Sequence, residues 1–187
     1  MGDSCTYGTG LCHSDTYPEQ LKRLLAGQRR AFHVCNFGKS GATAGATLGK
    51  FKTYSGTSAC DRARAFAAHT YVVMLGTNDA DNCEPQATEA GLTALVQLLK
   101  GQHSVVVLVL PPGVKGGRMK SNFAAVVHPA VRQVAADCGV ELIEPDLFAS
   151  KEMYQADNVH LSREGASCLA QAVASCLLQT QDNISTT

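Results

Sequence analysis

The chain has 187 residues, about the length of one compact domain; 45% of them are apolar and 17% are charged. This composition excludes a disordered chain, because so much apolar surface has to be buried in a core. Sixteen basic and sixteen acidic residues cancel to zero net charge, so no nucleic-acid partner is expected, and the longest apolar run, residues 105–110, is far too short to span a bilayer.

The first half of the chain predicts one helix, two strands and a long loop. Thr16 suits the N-cap of the helix and Pro18 suits its first turn. Residues 32–37 and 71–75 are short apolar runs that end at glycine, and each predicts a β-strand. The Gly- and Thr-rich stretch 38–58 between them predicts a long loop beside a functional site.

The second half repeats the alternation of helix and strand. An apolar stripe that stops at Gly101 predicts a helix, and residues 104–110 and 140–143 predict two further strands. Ser162 suits the N-cap of the last helix. The three helical stripes are Leu92, Leu95, Val96 and Leu99; Phe123, Val126, Val127, Ala130 and Val134; and Ala166, Leu169, Ala170, Val173 and Leu177.

The predicted strands are continuously apolar, which is typical of parallel strands buried on both faces. Strands that alternate with helices predict an α/β domain, with helices on both sides of a parallel sheet. We expect one domain over residues 1–180 and a polar tail over 181–187. In such folds the chemistry lies in loops at the carboxyl ends of the strands.

The eight cysteines carry no zinc signature, since neither a Cys-x-x-Cys pair nor a Cys/His ligand spacing occurs. We expect mostly buried free thiols in a reducing compartment; one or two disulfides in a secreted protein are the alternative. As written, the chain opens without a secretory segment, which indicates the cytoplasm, whereas a start upstream of Met1 would allow secretion.

Four polar clusters stand where strands end or where the last helix begins. They are residues 2–4 (GDS), 36–41 (NFGKSG), 76–79 (GTND) and 157–160 (DNVH). Together they supply the parts of an acyl-transfer site. A serine needs a base, a histidine base needs a carboxylate that fixes its tautomer, and the tetrahedral oxyanion needs N–H donors.

In this order the four clusters resemble those of the SGNH (GDSL-type) serine hydrolases over nearly the whole chain. The resemblance implies a flavodoxin-like three-layer α/β/α fold that needs no cofactor. It also implies that Ser4 is the nucleophile, that His160 is the base and then the acid, and that Asp157 orients His160. The oxyanion hole would consist of the Ser4 N–H, the Gly41 N–H and the Asn78 side chain.

Shorter matches point to one branch of the family. They lie at residues 6–10, 17–18, 36–38, 40–43, 74–79 and 111–112. These segments are similar to bacterial-type carbohydrate esterases, often described as sialate O-acetylesterases or acetylxylan esterase-like proteins. The resemblance implies removal of small acyl groups, chiefly acetyl, from sugar hydroxyls.

One departure concerns the start of the sheet. In the family a buried strand of about six residues precedes the serine block, whereas here only Met1 precedes Gly2. Either the recorded start is too late, or the sheet lacks that strand and is truncated there. In the second case we expect Ser4 to lie on a free terminus, and termini fray.

Two neighbouring polar residues have plainer interpretations. Ser40 lies in a sequence that superficially resembles the nucleophile elbow of α/β-hydrolases, but that motif requires glycine at Ala42, so we expect a turn residue. Asp79 is expected to be a structural capping or turn residue.

Three functions are compatible with the sequence. The leading one is a serine esterase for small acyl, probably acetyl, esters of carbohydrate hydroxyls. The alternatives are a lipid-type or thioester hydrolase of the same family and an inactive or truncated binding module. The expected partner is a small-molecule or carbohydrate ester, and the sequence does not indicate an oligomeric state.

Overall fold

The computed structural model describes residues 1–28, 31–47, 50–101, 104–113, 122–145 and 150–184. The helices within these ranges are α1 (Ser4–Tyr7), α2 (Tyr17–Leu25), α3 (Ser58–Phe66), α4 (Asp79–Asn82), α5 (Pro85–Lys100), α6 (His128–Cys138) and α7 (Arg163–Ile184). The strands are β1 (Ala42–Thr43), β2 (Lys52–Thr53), β3 (Thr70–Val73), β4 (Val105–Val109) and β5 (Glu141–Ile143). A single π-helical stretch, Phe123–Val127, leads into α6.

The main sheet is parallel and has the strand order β3-β4-β5. Successive side chains of β4 point to opposite faces: Val106 and Leu108 lie in one apolar cluster, and Val107 and Val109 lie in the other. This two-sided burial explains why the strands are continuously apolar. The predicted strands over 71–75, 104–110 and 140–143 are confirmed.

Helices cover both faces of the sheet and make a three-layer α/β/α sandwich, as predicted. Residues of α3, α5 and α6 pack on one face, and residues of α2 and α7 pack on the other. Within the second layer, α2 and α7 lie against each other. The polar clusters 36–41 and 76–79 lie at or just after the bridge residues Gly38 and Met74, at the carboxyl edge of the sheet.

The predicted helix ends agree with the structure, with one difference in detail. The Ser162 hydroxyl accepts a hydrogen bond of 3.1 Å from the Gly165 N–H at the start of α7, and α5 ends directly before Gly101. Thr16 occupies the N-cap position of α2, but its hydroxyl donates to the His13 carbonyl at 3.0 Å instead of capping the helix.

The prediction of a β-strand over residues 32–37 is wrong, because these residues do not pair with any described strand. In this region only Gly38 forms a β-bridge, to Gly2. The side chains still alternate, because Phe32 and Val34 pack with the α2/α7 layer whereas Phe37 packs with the opposite cluster. The segment therefore lies in an extended conformation, but no described segment lies alongside it to accept its hydrogen bonds.

The prediction of a long loop over residues 38–58 is also wrong in part. Its described residues contain the parallel pair β1-β2, a turn of 3₁₀ helix and the first residue of α3, a helix that was not predicted. Tyr54 is fully buried and donates a hydrogen bond of 2.5 Å to the Phe37 carbonyl. The buried aromatic anchors a segment whose own composition is typical of loops.

The N-terminal residues are held firmly in the sheet, so the expectation that Ser4 lies on a fraying terminus is wrong. The Met1 nitrogen donates to the Val72 carbonyl at 2.7 Å, and the Met74 N–H donates to the Met1 carbonyl at 3.1 Å. Gly2 bridges to Met74 on one side and to Gly38 on the other. A Cβ atom on Gly2 would overlap with Thr6 and the Met74 carbonyl, so this close approach requires glycine.

The eight cysteines are free thiols. Cys5 and Cys60 are buried, Cys12 is exposed and the other five are partly exposed, so the expectation that most are buried is wrong. Of the helices described, none combines the length and apolarity needed to cross a membrane. Helix α7 extends to residue 184, and the rest of the predicted tail, residues 185–187, lies outside the described residues.

Candidate active site

Three strand ends bring three of the polar clusters to one edge of the sheet. Gly2 lies between Gly38 and Met74 and forms parallel bridges with both. Ser4 lies two residues after Gly2, and Gly41 and Asn78 lie three and four residues after the other two bridge residues. Because parallel strands end at a common edge, these three residues emerge together although they are far apart in sequence.

Ser4 is the first residue of α1. Its predecessor Asp3 caps the helix, since the Asp3 carboxylate accepts a hydrogen bond of 2.9 Å from the Cys5 N–H. As the first helical residue, Ser4 has no carbonyl within the helix to which its own N–H could donate. Ser4 is 6% exposed, so its hydroxyl is held in a defined environment.

The Ser4 hydroxyl oxygen lies 2.9 Å from His160 Nε2, and His160 Nδ1 lies 2.6 Å from Asp157 Oδ2. His160 and Asp157 belong to the short loop before α7, and His160 is 156 residues from Ser4 in the chain. Three side chains predicted from the sequence therefore form one continuous hydrogen-bonded chain.

The Asp157 carboxylate also shapes the loop that carries the histidine. Its Oδ1 accepts hydrogen bonds from the Val159 N–H at 2.9 Å and from the His160 N–H at 3.0 Å. Partial burial alone would raise the pKa of Asp157, but the hydrogen bonds from His160 and Val159 outweigh it and hold that pKa below its usual value. The carboxylate stays ionised, so Nδ1 of His160 must donate to it and Nε2 presents its lone pair to Ser4.

Gly41 forms the third position of a tight turn, in which the Ala42 N–H donates to the Lys39 carbonyl at 3.0 Å. Its φ of +75° lies in the left-handed region that favours glycine. The Phe51 ring stands beside the Gly41 α-carbon, at a distance of 3.3 Å from the position that a Cβ would occupy. This turn, rather than a regular strand, directs the Gly41 N–H.

The side chain of Asn78 is linked to the Gly41 turn. Its amide nitrogen donates a hydrogen bond of 2.8 Å to the Ala42 carbonyl, and the Asn82 side chain donates to the Asn78 carbonyl at 2.7 Å. An amide nitrogen carries two N–H groups, and among the described residues only Ala42 accepts from this one, so the second N–H can donate to another acceptor.

Asp79 is a structural residue, as expected, and the structure identifies the groups that it binds. Its fully buried carboxylate accepts hydrogen bonds from the Ala44 N–H at 2.9 Å and from the Gly45 N–H at 2.8 Å. Burial raises the pKa of Asp79, although these hydrogen bonds oppose the rise. Asp79 thus ties the stretch after Gly41 to the loop that carries Asn78, and its only sequence signal is its place directly after Asn78.

Ser40 lies in the turn, as predicted, and is exposed. Its hydroxyl is 3.0 Å from the Thr9 hydroxyl, and among the described residues no histidine contacts it. Within the same residues, no group of three or more His, Cys, Asp or Glu side chains is placed to hold a metal ion.

A serine hydroxyl bonded to a carboxylate-oriented imidazole can act as a nucleophile toward an acyl group. Backbone and amide N–H groups beside it can stabilise negative charge on the acyl oxygen. The arrangement is suited to acyl transfer.

Comparisons with solved structures show the same fold in esterases. The chain is similar to the acetyl xylan esterase AlAXEase (17% identity, 94% of this chain and 96% of that chain, TM-score 0.77). It is similar to a carbohydrate acetylesterase family member from Sinorhizobium meliloti (19% identity, 95% and 94%, TM-score 0.71). It is also similar to the psychrotrophic esterase EstA from Pseudoalteromonas sp. (18% identity, 97% and 96%, TM-score 0.74).

A comparison with curated protein sequences finds no match. The family comparison matches residues 1–167, a range that contains all four polar clusters. The chain belongs to the GDSL-like Lipase/Acylhydrolase family and has the SGNH hydrolase fold.

Proposed function

We propose that this protein is a serine esterase in which Ser4 is the nucleophile, His160 the general base and acid, and Asp157 the orienting carboxylate. The observation that carries the proposal is the hydrogen-bonded chain from Asp157 through His160 to Ser4, with distances of 2.6 and 2.9 Å. Both distances lie within the range that proton transfer requires.

In the acylation step, the Ser4 oxygen attacks the ester carbonyl carbon while its proton passes to His160 Nε2. The carbonyl π electrons move to oxygen and form a tetrahedral oxyanion. When the intermediate collapses, the C–O bond to the alcohol breaks, the alcohol takes the proton from His160, and the acyl group remains on Ser4. Water then attacks the acyl carbon with His160 again as base, which releases the carboxylic acid and restores Ser4.

The oxyanion would accept hydrogen bonds from the Ser4 N–H, the Gly41 N–H and the free N–H of the Asn78 amide. Each of these donors is positioned before substrate binds: Ser4 by the start of α1, Gly41 by its turn and Asn78 by its bond to Ala42. Donors that need no reorganisation stabilise developing charge most effectively.

We further propose that the substrates are small acyl esters, chiefly acetyl esters of carbohydrate hydroxyls. Support comes from the sequence similarity to carbohydrate esterases and from the fold shared with an acetyl xylan esterase and a carbohydrate acetylesterase. A large apolar groove of about 530 Å³ exists in the protein, but none of the three triad residues lines it. This groove is therefore not the expected binding site for a long acyl chain attached to Ser4.

Labelling with a fluorophosphonate tests the nucleophile. We expect the wild-type chain and Ser40→Ala to be labelled and Ser4→Ala not to be labelled, with loss of p-nitrophenyl acetate hydrolysis on the order of 10⁶-fold in kcat. Ser40→Ala is a matched control because its hydroxyl lies in the neighbouring turn. Labelling that survives in Ser4→Ala and disappears in Ser40→Ala would overturn the assignment.

The acyl preference is tested separately, with p-nitrophenyl acetate and octanoate on the same wild-type protein. We expect a higher kcat/KM for acetate, and acetate released from an acetylated oligosaccharide. An equal or higher kcat/KM for octanoate would favour the lipid-type alternative while leaving the roles of Ser4 and His160 intact.

A further inference from the structure

The side chain of Gln155 connects two backbone segments beside the candidate triad. Its amide nitrogen donates a hydrogen bond of 2.7 Å to the Thr9 carbonyl and one of 2.8 Å to the Leu161 carbonyl. Thr9 and Gln155 are 146 residues apart in the chain. An amide nitrogen has two N–H groups, so these two bonds use both of them and make the side chain a bridge.

The Thr9 end of the bridge belongs to the turn that terminates α1. The Thr9 N–H donates to the Ser4 carbonyl at 3.0 Å, and the Gly8 N–H donates to the same carbonyl at 2.9 Å. Gly8 has a φ of +89°, the left-handed conformation in which many helices end. The position of the Thr9 carbonyl is therefore fixed relative to Ser4, the first residue of the helix.

The other end of the bridge belongs to residues 155–160, which we call the base loop because it carries His160. The Gln155 N–H donates to the His160 carbonyl at 2.8 Å, so the two ends of the base loop are bonded to each other. Directly outside this pair, Tyr154 and Leu161 form an antiparallel bridge. Gln155 therefore lies opposite His160, and its side chain extends from the base loop to the turn after α1.

Gly10 leaves the space that the Gln155 amide occupies. The φ of Gly10 is +81°, which favours glycine, and a Cβ atom at this position would overlap with Gln155 Oε1. The amide group therefore lies directly against the Gly10 backbone. An alanine at this position would displace the amide, which offers a second way to break the bridge.

The bridge spans the contact on which the proposed chemistry depends. The hydrogen bond of 2.9 Å between Ser4 and His160 joins the same two segments, α1 and the base loop. Asp157 lies within the base loop, so its hydrogen bonds to His160 move with the loop and do not hold it against α1. A displacement of a catalytic group by about 1 Å can lower a rate on the order of 10²-fold.

We propose that Gln155 is a positioning residue of the esterase, which holds the base loop at hydrogen-bonding distance from Ser4. One donated bond closes the base loop at Leu161, and the other fastens the loop to the turn at Thr9. The proposal rests on the proposed roles of Ser4 and His160. Glutamine suits this position because it carries two donors on a side chain long enough to reach both carbonyls.

The test compares Gln155→Met with Gln20→Met, both assayed well below their Tm. Methionine has nearly the length and volume of glutamine but no N–H donor. Gln20 is a matched control, because its amide nitrogen also bridges two carbonyls, those of Asp15 at 2.7 Å and Arg163 at 3.2 Å, without joining α1 to the base loop. Both variants should lose a similar amount of Tm, about a few degrees, since each loses two hydrogen bonds.

The kinetics should separate the two variants. In Gln155→Met we expect kcat for p-nitrophenyl acetate and the rate of fluorophosphonate labelling to fall at least about tenfold, with KM within about twofold of wild type. In Gln20→Met all three should stay within about twofold of wild type. An unchanged kcat in Gln155→Met, a rise in KM without a fall in kcat, or an equal loss of kcat in Gln20→Met would overturn the proposal.

A double-mutant cycle with Gly10→Ala tests whether the amide itself is responsible. Gly10→Ala should lower kcat at least about fivefold in the wild-type background and less than about twofold in Gln155→Ala, where no amide remains to be displaced. Equal fold losses in the two backgrounds would overturn the proposal. Failure of the bridge alone leaves a hydrolysis that Ser4→Ala abolishes, whereas hydrolysis that survives Ser4→Ala would overturn the proposed function and this proposal with it.

Discussion

The side-chain amide of Asn78 donates a hydrogen bond of 2.8 Å to the carbonyl oxygen of Ala42, the residue that follows Gly41. The bond uses one N–H of the amide and fixes the direction of the other relative to the Gly41 turn. Two candidate oxyanion donors from distant parts of the chain are thereby held as one rigid unit. The hydrogen bonds from Ala44 and Gly45 to Asp79 join the same two segments a second time.

Replacement of Asn78 tests its role in charge stabilisation. We expect Asn78→Ala to lower kcat for p-nitrophenyl acetate by about 10²–10³-fold with little change in KM, because an oxyanion donor acts mainly in the transition state. Steady-state kinetics measure both constants. The control is Asn36→Ala, since Asn36 also braces this region through the Thr6 carbonyl at 2.9 Å but is not a proposed donor. Equal losses of kcat in the two variants would refute the role.

Replacement of Asp79 tests the anchoring of the Gly41 turn. Asp79→Ala leaves the N–H groups of Ala44 and Gly45 buried without an acceptor, at a cost of about 1–3 kcal/mol each. Asp79→Asn keeps one acceptor oxygen and should lose less. We expect the free energy of unfolding in urea and the rate of fluorophosphonate labelling to fall in the order wild type, Asn, Ala. An Ala variant as stable and as rapidly labelled as the wild type would show that the anchor is dispensable.

Replacement of Asp157 tests the orientation of His160. In Asp157→Asn the side-chain oxygen can still accept from the Val159 and His160 N–H groups, but a neutral amide no longer selects the tautomer with a proton on Nδ1. We expect kcat to fall by about 10²–10⁴-fold, with Tm nearly unchanged. Asp137→Asn is the matched control, because Asp137 is exposed and contacts only Gln133 among the described polar partners. Unaltered kcat in Asp157→Asn would contradict the proposed triad.

Replacement of Asp3 tests a pH dependence of stability. Burial raises the pKa of Asp3 from 3.8 to about 6, although the hydrogen bond from the Cys5 N–H opposes the rise. Between these two values the folded state holds the proton more tightly than the unfolded state, so the free energy of unfolding decreases as the pH rises through that window.

Asparagine can cap α1 in the same way without acquiring a charge. The stability of Asp3→Asn relative to wild type should therefore increase by about 2 kcal/mol between pH 4 and pH 7. Urea unfolding at the two pH values measures this change, and Asp137→Asn should show none. A relative stability that stays constant, or that decreases, would mean that the Asp3 carboxyl is not destabilised by burial.

The strands over 71–75, 104–110 and 140–143 and the ends of α5 and α7 were predictable because their signals are local. Continuous apolar runs require burial on both faces wherever they lie, and Gly101 and Ser162 act on their own helix ends. Helix α3 and the buried Tyr54 were not predictable, since residues 52–58, which lead into the helix, are rich in Ser, Thr and Gly, a composition typical of loops. That segment is ordered by contacts such as the bond from Tyr54 to Phe37.

The alternation of strands and helices and the order of the four polar clusters can be read from residue type and spacing alone, because both are local properties of the chain. The distances between the clusters depend on tertiary contacts: the pairing of Gly2 with Gly38 and Met74 places three of them at one edge, and the hydrogen bond from Ser4 to His160 joins the fourth. Tertiary contacts also determine that segment 31–37 forms no strand pairing with any other described segment and that Asp79 binds Ala44 and Gly45. Hydrogen bonds between strands and loops depend on which two segments lie side by side in the fold. The type of a single residue does not determine which segment lies next to it.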